Sequence, residues 1–220
     1  MIAFHRDIRG QLLDERTAAV ELLNVIRPTV AVSYLVTFAG LALHHHPDWK
    51  EKLRADHDTH VQNFVQEVRR FFPLAPFMGA RARKAFRWKG FKIPRGRLVI
   101  LDLYGTNHDR RIWDTPDAFR PERFEHWNHG PFNFIPQGGG DHFAGHRCAG
   151  EWMTIRLLRI AVECLTRAIA YEVPAQDLGI PTNRMPTLPA RGFVIDRIRR
   201  LNSMTPCVRH PLPSRGLEAA

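Results

Sequence analysis

The chain has 220 residues, 44% of them hydrophobic and 25% charged, which excludes wholesale disorder and leaves room for one substantial core or two small ones. Lysine and arginine number 32 against 22 aspartates and glutamates, a formal net charge of +10 that favours anionic partners without choosing between them. The densest basic runs, Arg81 to Lys92 and Arg191 to Arg200, alternate with Phe, Trp and Ile, and no reading motif accompanies them, so nucleic-acid binding is not expected.

The first residues are charged rather than apolar, so no secretory signal is expected. From Leu12 to about His46 the pattern is helical and apolar on more than one face, with Pro28 in the middle, where it deletes a backbone donor. Its longest apolar run, Val30 to Leu43, is interrupted by Ser33, Tyr34 and Thr37; it is too short to span a bilayer and predicts a buried core helix, with no membrane span. After Pro47 a short polar helix leads to an amphipathic one near Val61 to Phe71, closed by Phe72-Pro73. Ala85 to Ile93 and Leu98 to Leu103 are aromatic and branched, are separated by Gly90 and Pro94-Arg95-Gly96, and read as short strands of a small sheet. Thr106 to Arg147 is rich in Asn, His, Asp, Gly and Pro. A loop of that length inside a compact domain implies that it wraps something, here a cofactor. A strong helix follows, Ala149 to about Ala170, then a late strand around Phe193 to Ile198 and, from Leu201, a Pro- and Arg-rich tail expected to fray. The fold class is mainly α with a small β-sheet.

Three cysteines without a close pair fit neither a disulfide framework nor a zinc site, and predict a reducing, cytoplasmic setting. Cys148 stands apart. It ends a glycine-rich loop, follows His146 and Arg147, and opens a helix whose dipole and free amides stabilise a thiolate and tune a metal bound to it. Cys164, inside the following helix, and Cys207, in the tail, read as structural or incidental.

The string Gly145-His146-Arg147-Cys148-Ala149-Gly150 resembles the haem-ligand loop of cytochromes P450. Glu67-Val68-Arg69-Arg70 resembles their Glu-x-x-Arg helix motif, and Phe119 to Phe124 the segment supplying Arg123 as third member of that ion-pair network. Any charged helix contains a Glu-x-x-Arg, but three motifs in the right order are specific. The closer resemblance is to bacterial fatty-acid peroxygenases and decarboxylases that use hydrogen peroxide. It runs from about Asp14 to Arg200, through Val20 to Pro28, Phe64 to Phe71, Leu101 to Asp109, Ile135 to Gly140 and Arg184 to Pro189. Ordinary members carry an acid next to a threonine on the long helix, whereas this chain has Arg27-Pro28. Asp141 and Ala144 also stand where the common ligand loop has phenylalanine and glycine, a departure the peroxygenase subgroup shares.

The resemblance implies haem b (iron protoporphyrin IX) bound by Cys148, with His146 meeting a propionate and Gln137 in a propionate or backbone role. An arginine donates hydrogen bonds but no proton, and proline lacks an amide. Arg27 can clamp a fatty-acid carboxylate, and the resemblance implies that this carboxylate itself carries the proton during peroxide cleavage, with hydroxylation at the α or β carbon as the expected outcome. The substrates implied are a fatty acid and hydrogen peroxide, with no redox partner required. Glu67, Arg70 and Arg123 are expected to hold the ligand loop. Residues 1–200 read as the C-terminal haem-binding part of a P450 domain, N-terminally truncated, and 201–220 as the tail. Three readings stay open: a peroxygenase, a decarboxylase giving terminal alkenes, and a non-catalytic fragment.

Overall fold

The computed structural model describes residues 5–201 apart from 56, 57, 129, 146, 182, 183 and 186. The predicted tail, with Cys207, and His146 therefore lie outside the described residues. Helix α1 (Glu15–His45) starts where the Asp14 carboxylate accepts from the Thr17 amide at 3.0 Å and the Thr17 hydroxyl at 2.6 Å, a side-chain N-cap. It continues through Pro28, and the Thr29 hydroxyl donates to the Val25 carbonyl at 3.0 Å beside the missing amide. Burial starts only at Leu35 and runs from Phe38 to Leu43. The helix as a whole is long and apolar enough, on length and composition, to cross a membrane. A core helix passes the same test, and the last turns of α1 pack as core.

Helices α2 (Pro47–Ala55) and α3 (Asp58–Phe71) follow. Phe64, Val65 and Val68 of α3 meet Phe38, Leu41 and Ala42 of α1 and Leu158 and Val162 of α5 (Glu151–Glu163) in one core, all at 1% exposure or less. Phe119, from the long loop, packs edge-on against Phe64 and Phe71, and Phe38 stacks on Phe72 with ring centres 4.7 Å apart.

Among the described residues, the predicted single sheet is three two-stranded antiparallel ladders. Strand β1 (Phe77–Arg81) pairs with β4 (Leu98–Asp102), Phe77 facing Asp102 and Arg81 facing Leu98. Strands β2 (Phe86–Trp88) and β3 (Phe91–Ile93) form a hairpin whose two turn residues, Lys89 (φ 45°) and Gly90 (φ 85°), are both left-handed, the tight turn matching strand twist. The short helix α4 (Leu103–Asn107) opens the long connection, which holds a 3₁₀ turn, Pro121–Phe124. The final helix is shorter than its sequence suggests. After Glu163 it widens into a π turn, Cys164–Ala168, and becomes strand β5 (Ile169–Glu172), paired with β6 (Asp196–Arg200). There the Thr166 hydroxyl donates to the Val162 carbonyl at 2.8 Å while Arg54 donates to the Thr166 carbonyl at 2.8 Å, so side chains take up acceptors that a regular helix would pair internally.

Candidate functional site

Cys148 sits directly ahead of α5 as a half-buried free thiol. Its amide donates to the Gln137 carbonyl at 3.0 Å, and its own carbonyl accepts from the Glu151 amide at 3.1 Å. The glycine-rich approach and the helix entry thus meet at this residue. Upstream, the Asp141 carboxylate accepts from the Phe143 and Ala144 amides at 2.8 and 2.6 Å, and the Gly145 amide closes onto the Asp141 carbonyl at 3.1 Å. The amides of Ala144 and then Phe143 hold the Asp141 carboxyl below its ordinary value. A Cβ on Gly145 would stand 2.6 Å from the Asp141 carbonyl oxygen, so the turn requires glycine there. Asp141, a departure from the common motif, is thereby the cap of the loop that presents the cysteine.

Two buried charge networks frame this loop. In the first, Glu67 and Arg70 have fully buried side chains and pair through both carboxylate oxygens, at 2.7 and 2.8 Å. Arg123 approaches Glu67 at 3.3 Å and donates to the carbonyls of Asp114, Thr115 and Ala118. The Arg120 amide adds a 2.7 Å bond to Glu67, and Arg70 also donates to the Asn107 carbonyl at 2.9 Å. The carboxylate of α3 and two arginines thus tie down the long connection by its main chain, as buried charges must be tied. Burial pushes the Arg123 guanidinium down from its ordinary value.

The second network centres on Glu151 in the first turn of α5, its side chain 3% exposed. It accepts from Arg69 of α3, from Arg147 at 2.5 Å and from the His142 ring at 2.9 Å. Burial pushes the Glu151 carboxyl up, but hydrogen bonds and charge from Arg147 and Arg69 outweigh it and hold it at about 2. Arg69 also donates to the Gln137 side chain at 3.1 Å and to Gln66. Between the networks lies an aromatic cluster of Trp113, Phe124, Trp127 and Phe134, with Trp113 and Trp127 stacked at 4.1 Å. The guanidinium of Arg70 lies over Trp113 at 5.3 Å and that of Arg69 over Phe134 at 5.2 Å, adding cation–π attraction where water is excluded.

Of the residues singled out from sequence, Gln137 meets Cys148 directly, whereas Glu67, Arg70 and Arg123 meet one another and the connection between Asn107 and Arg120. Gln137 contributes both its carbonyl to Cys148 and its side chain to Arg69. Arg27 and Pro28 stand on the exposed part of α1, before its buried stretch. Sequence reasoning gave no role to Arg69, His142 or Glu151, and took Arg147 only as a neighbour of Cys148. The available signal was a doubled arginine at the end of α3 and an acid three residues after the cysteine, but neither shows its partner in one dimension.

A family model described as Cytochrome P450 matches residues 28–194. The chain is 28% identical over 162 residues to cytochrome P450 4e5, mitochondrial, of Drosophila mettleri, covering 64% of this chain and 30% of that protein. It is 25% identical over 189 residues to cytochrome P450 3A5 of Homo sapiens, covering 77% and 37%. Among solved structures it is similar to cytochrome P450SP alpha in complex with (R)-ibuprophen, at 48% identity and a TM-score of 0.83 over 90% of this chain and 48% of that one. Cytochrome P450EX alpha with myristic acid shows 50% identity and a TM-score of 0.81 over 90% and 48%. A variant of cytochrome P450 OleT in complex with arachidonic acid shows 41% and 0.83 over 93% and 48%. The chain thus spans about half the length of these structures.

Proposed function

Since this chain belongs to the cytochrome P450 family, we propose that it is the haem-binding part of a fatty-acid peroxygenase, which hydroxylates the α or β carbon of a fatty acid with hydrogen peroxide. The carrying observation is Cys148, pinned through its amide at the entry of α5 and framed by two buried charge networks. The 41–50% identity to solved cytochromes P450, two of them holding fatty acids, supports the choice of substrate.

The residues present fit haem. Among the described residues no group of three His, Cys, Asp or Glu could hold a bare metal ion, whereas a single free thiol at a helix entry is the donor set of a group that needs one protein ligand. Bound there, haem would supply an iron at which peroxide oxygen is transferred to a C–H bond. The Cys148 sulfur would ligate that iron from the entry of α5. Gln137 and Glu151 hold the main chain on either side of it.

Arg27 is exposed on α1, and its guanidinium presents the fork that takes a carboxylate in two parallel hydrogen bonds. Neither Arg27 nor Pro28 offers an acid to this turn, so the proton relay falls to the carboxylate that Arg27 holds. With hydrogen peroxide as the oxidant a redox partner is not required, and the substrate's own acid group is.

The test is to express the chain with haem precursor, reduce it under carbon monoxide and record its absorbance beside Cys148→Ala. A thiolate-type Soret band lost in the variant supports the reading, and no haem in either sample sinks it. Peroxide-dependent oxidation of a fatty acid follows, with products separated into hydroxy acids and terminal alkenes. Arg27→Ala should lower kcat/KM by at least about a hundredfold through loss of a charge-assisted, bidentate contact of roughly 3 kcal/mol. An unchanged value would remove Arg27 from the mechanism, and a dominant alkene would replace hydroxylation by decarboxylation.

A further inference from the structure

We infer that Glu151 is a positioning residue for Cys148, acting through Arg69, Arg147 and His142 as a second charge network, separate from Glu67, Arg70 and Arg123. The inference gives a role in the proposed function only if Cys148 is the iron ligand, but its geometry stands without that reading.

Arg69 connects three segments that must agree for the sulfur to have a fixed place. It belongs to α3, donates to Gln137 on the glycine-rich approach, and donates to Glu151 at the entry of α5. Gln137 in turn accepts the Cys148 amide on its carbonyl and donates through its side-chain nitrogen to the Thr154 hydroxyl at 3.4 Å. Cys148 therefore sits inside a closed circuit: α3 to Gln137, Gln137 to Cys148, Cys148 to Glu151, and Glu151 back to α3. Arg147 and His142 fasten the outer side of the loop to the same carboxylate.

Burial makes the circuit stiff. The Arg69 and Glu151 side chains are 1% and 3% exposed, so an unpaired partner has no water to turn to, and breaking the pair is far costlier than breaking a surface pair. The first network lacks this reach. Its hydrogen bonds end on Asn107, Asp114, Thr115, Ala118 and Arg120, all in the long connection. Glu67 thus fixes the connection as a whole, whereas Glu151 fixes the last few residues around the cysteine.

The full chain without haem provides the test, because Cys148 and Cys164 flank α5 and each reports on its own end. Alkylation by iodoacetamide is followed at each cysteine by peptide mass spectrometry, together with amide exchange at Cys148. Glu151→Gln should raise the Cys148 alkylation rate and amide exchange about tenfold by releasing the loop locally, with Cys164 unchanged. Glu151→Asp should restore most of the protection. The pair Arg69→Met with Glu151→Met removes the two most deeply buried charges together and leaves Arg147, whose side chain is 17% exposed, to turn to water; it should release Cys148 in the same selective way. Equal increases at Cys148 and Cys164 in every variant would reduce Glu151 to general stability, and no increase at Cys148 would end the inference. Neither outcome touches the haem reading, which the absorbance spectrum decides independently.

Discussion

Glu67 is a carboxylate fully removed from water and satisfied by Arg70 on both oxygens, by Arg123 and by the Arg120 amide. Replacing it by glutamine keeps the shape but strands the Arg70 guanidinium beside a neutral amide. The expected loss is about 3–5 kcal/mol, the cost of breaking a buried pair from one side, read as a lower urea midpoint at unchanged slope. A loss under about 1 kcal/mol would place the pair in the class of surface ion pairs. Glu67, Arg70 and Arg123 were legible in the sequence because two family motifs, Glu67 to Arg70 and Phe119 to Phe124, name them in order. Arg69 and Glu151 were not, since they lie 82 positions apart and only the packing of α3 against α5 makes them neighbours.

At the scale of elements, the loop between Gly138 and Cys148 is held by turn chemistry rather than by a ladder. A methyl group on Gly145 would overlap the Asp141 carbonyl oxygen at 2.6 Å, and a carbonyl that belongs to the backbone cannot rotate away. Gly145→Ala should cost about 1–3 kcal/mol, as overpacking does, and faster amide exchange at Phe143 and Ala144 would report it. The same two amides hold the Asp141 carboxyl below its ordinary value. Its contribution is therefore complete above the usual aspartate range and is lost as pH falls towards the lower folded value, so the protection of those amides, measured against their intrinsic exchange rate, should fall as the solution is acidified through that range. The three long helices were legible from their periodicity. Strand β1 was not, because its partner β4 starts seventeen residues beyond Arg81, and a five-residue run containing Gly79 carries little pattern. Strand β5 was hidden for the opposite reason: Ile169 to Glu172 continues the apolar texture of α5, and the break comes from Arg54 and Thr166 at a tertiary contact.

Over the whole molecule, the core is concentrated where α1, α3 and α5 meet, and much apolar surface is left outside it. Leu22, Leu23, Val25 and Ile26 of α1 are 47–61% exposed, as are Met78, Leu98, Ile100 and Leu101 of the β1–β4 ladder at 51–59%. Isolated exposed apolar residues need no explanation, but stretches of this kind mark contact surfaces or association. The sequence foretold burial for Val30 to Leu43, and the structure grants it only from Leu35, because the preceding turns of α1 extend past the elements that could cover them. The net charge of +10 opposes self-association at low ionic strength and is screened within about 8 Å at physiological salt. The chain alone should therefore be monomeric in dilute buffer and gain light scattering and hydrophobic-dye binding as salt is added. Leu23→Glu with Ile26→Glu should suppress both, because among the described residues nothing covers α1 at those positions and the charges meet water. If scattering is independent of salt and of these substitutions, the exposed face of α1 is not what brings the chains together, and the β1–β4 ladder becomes the surface to alter next.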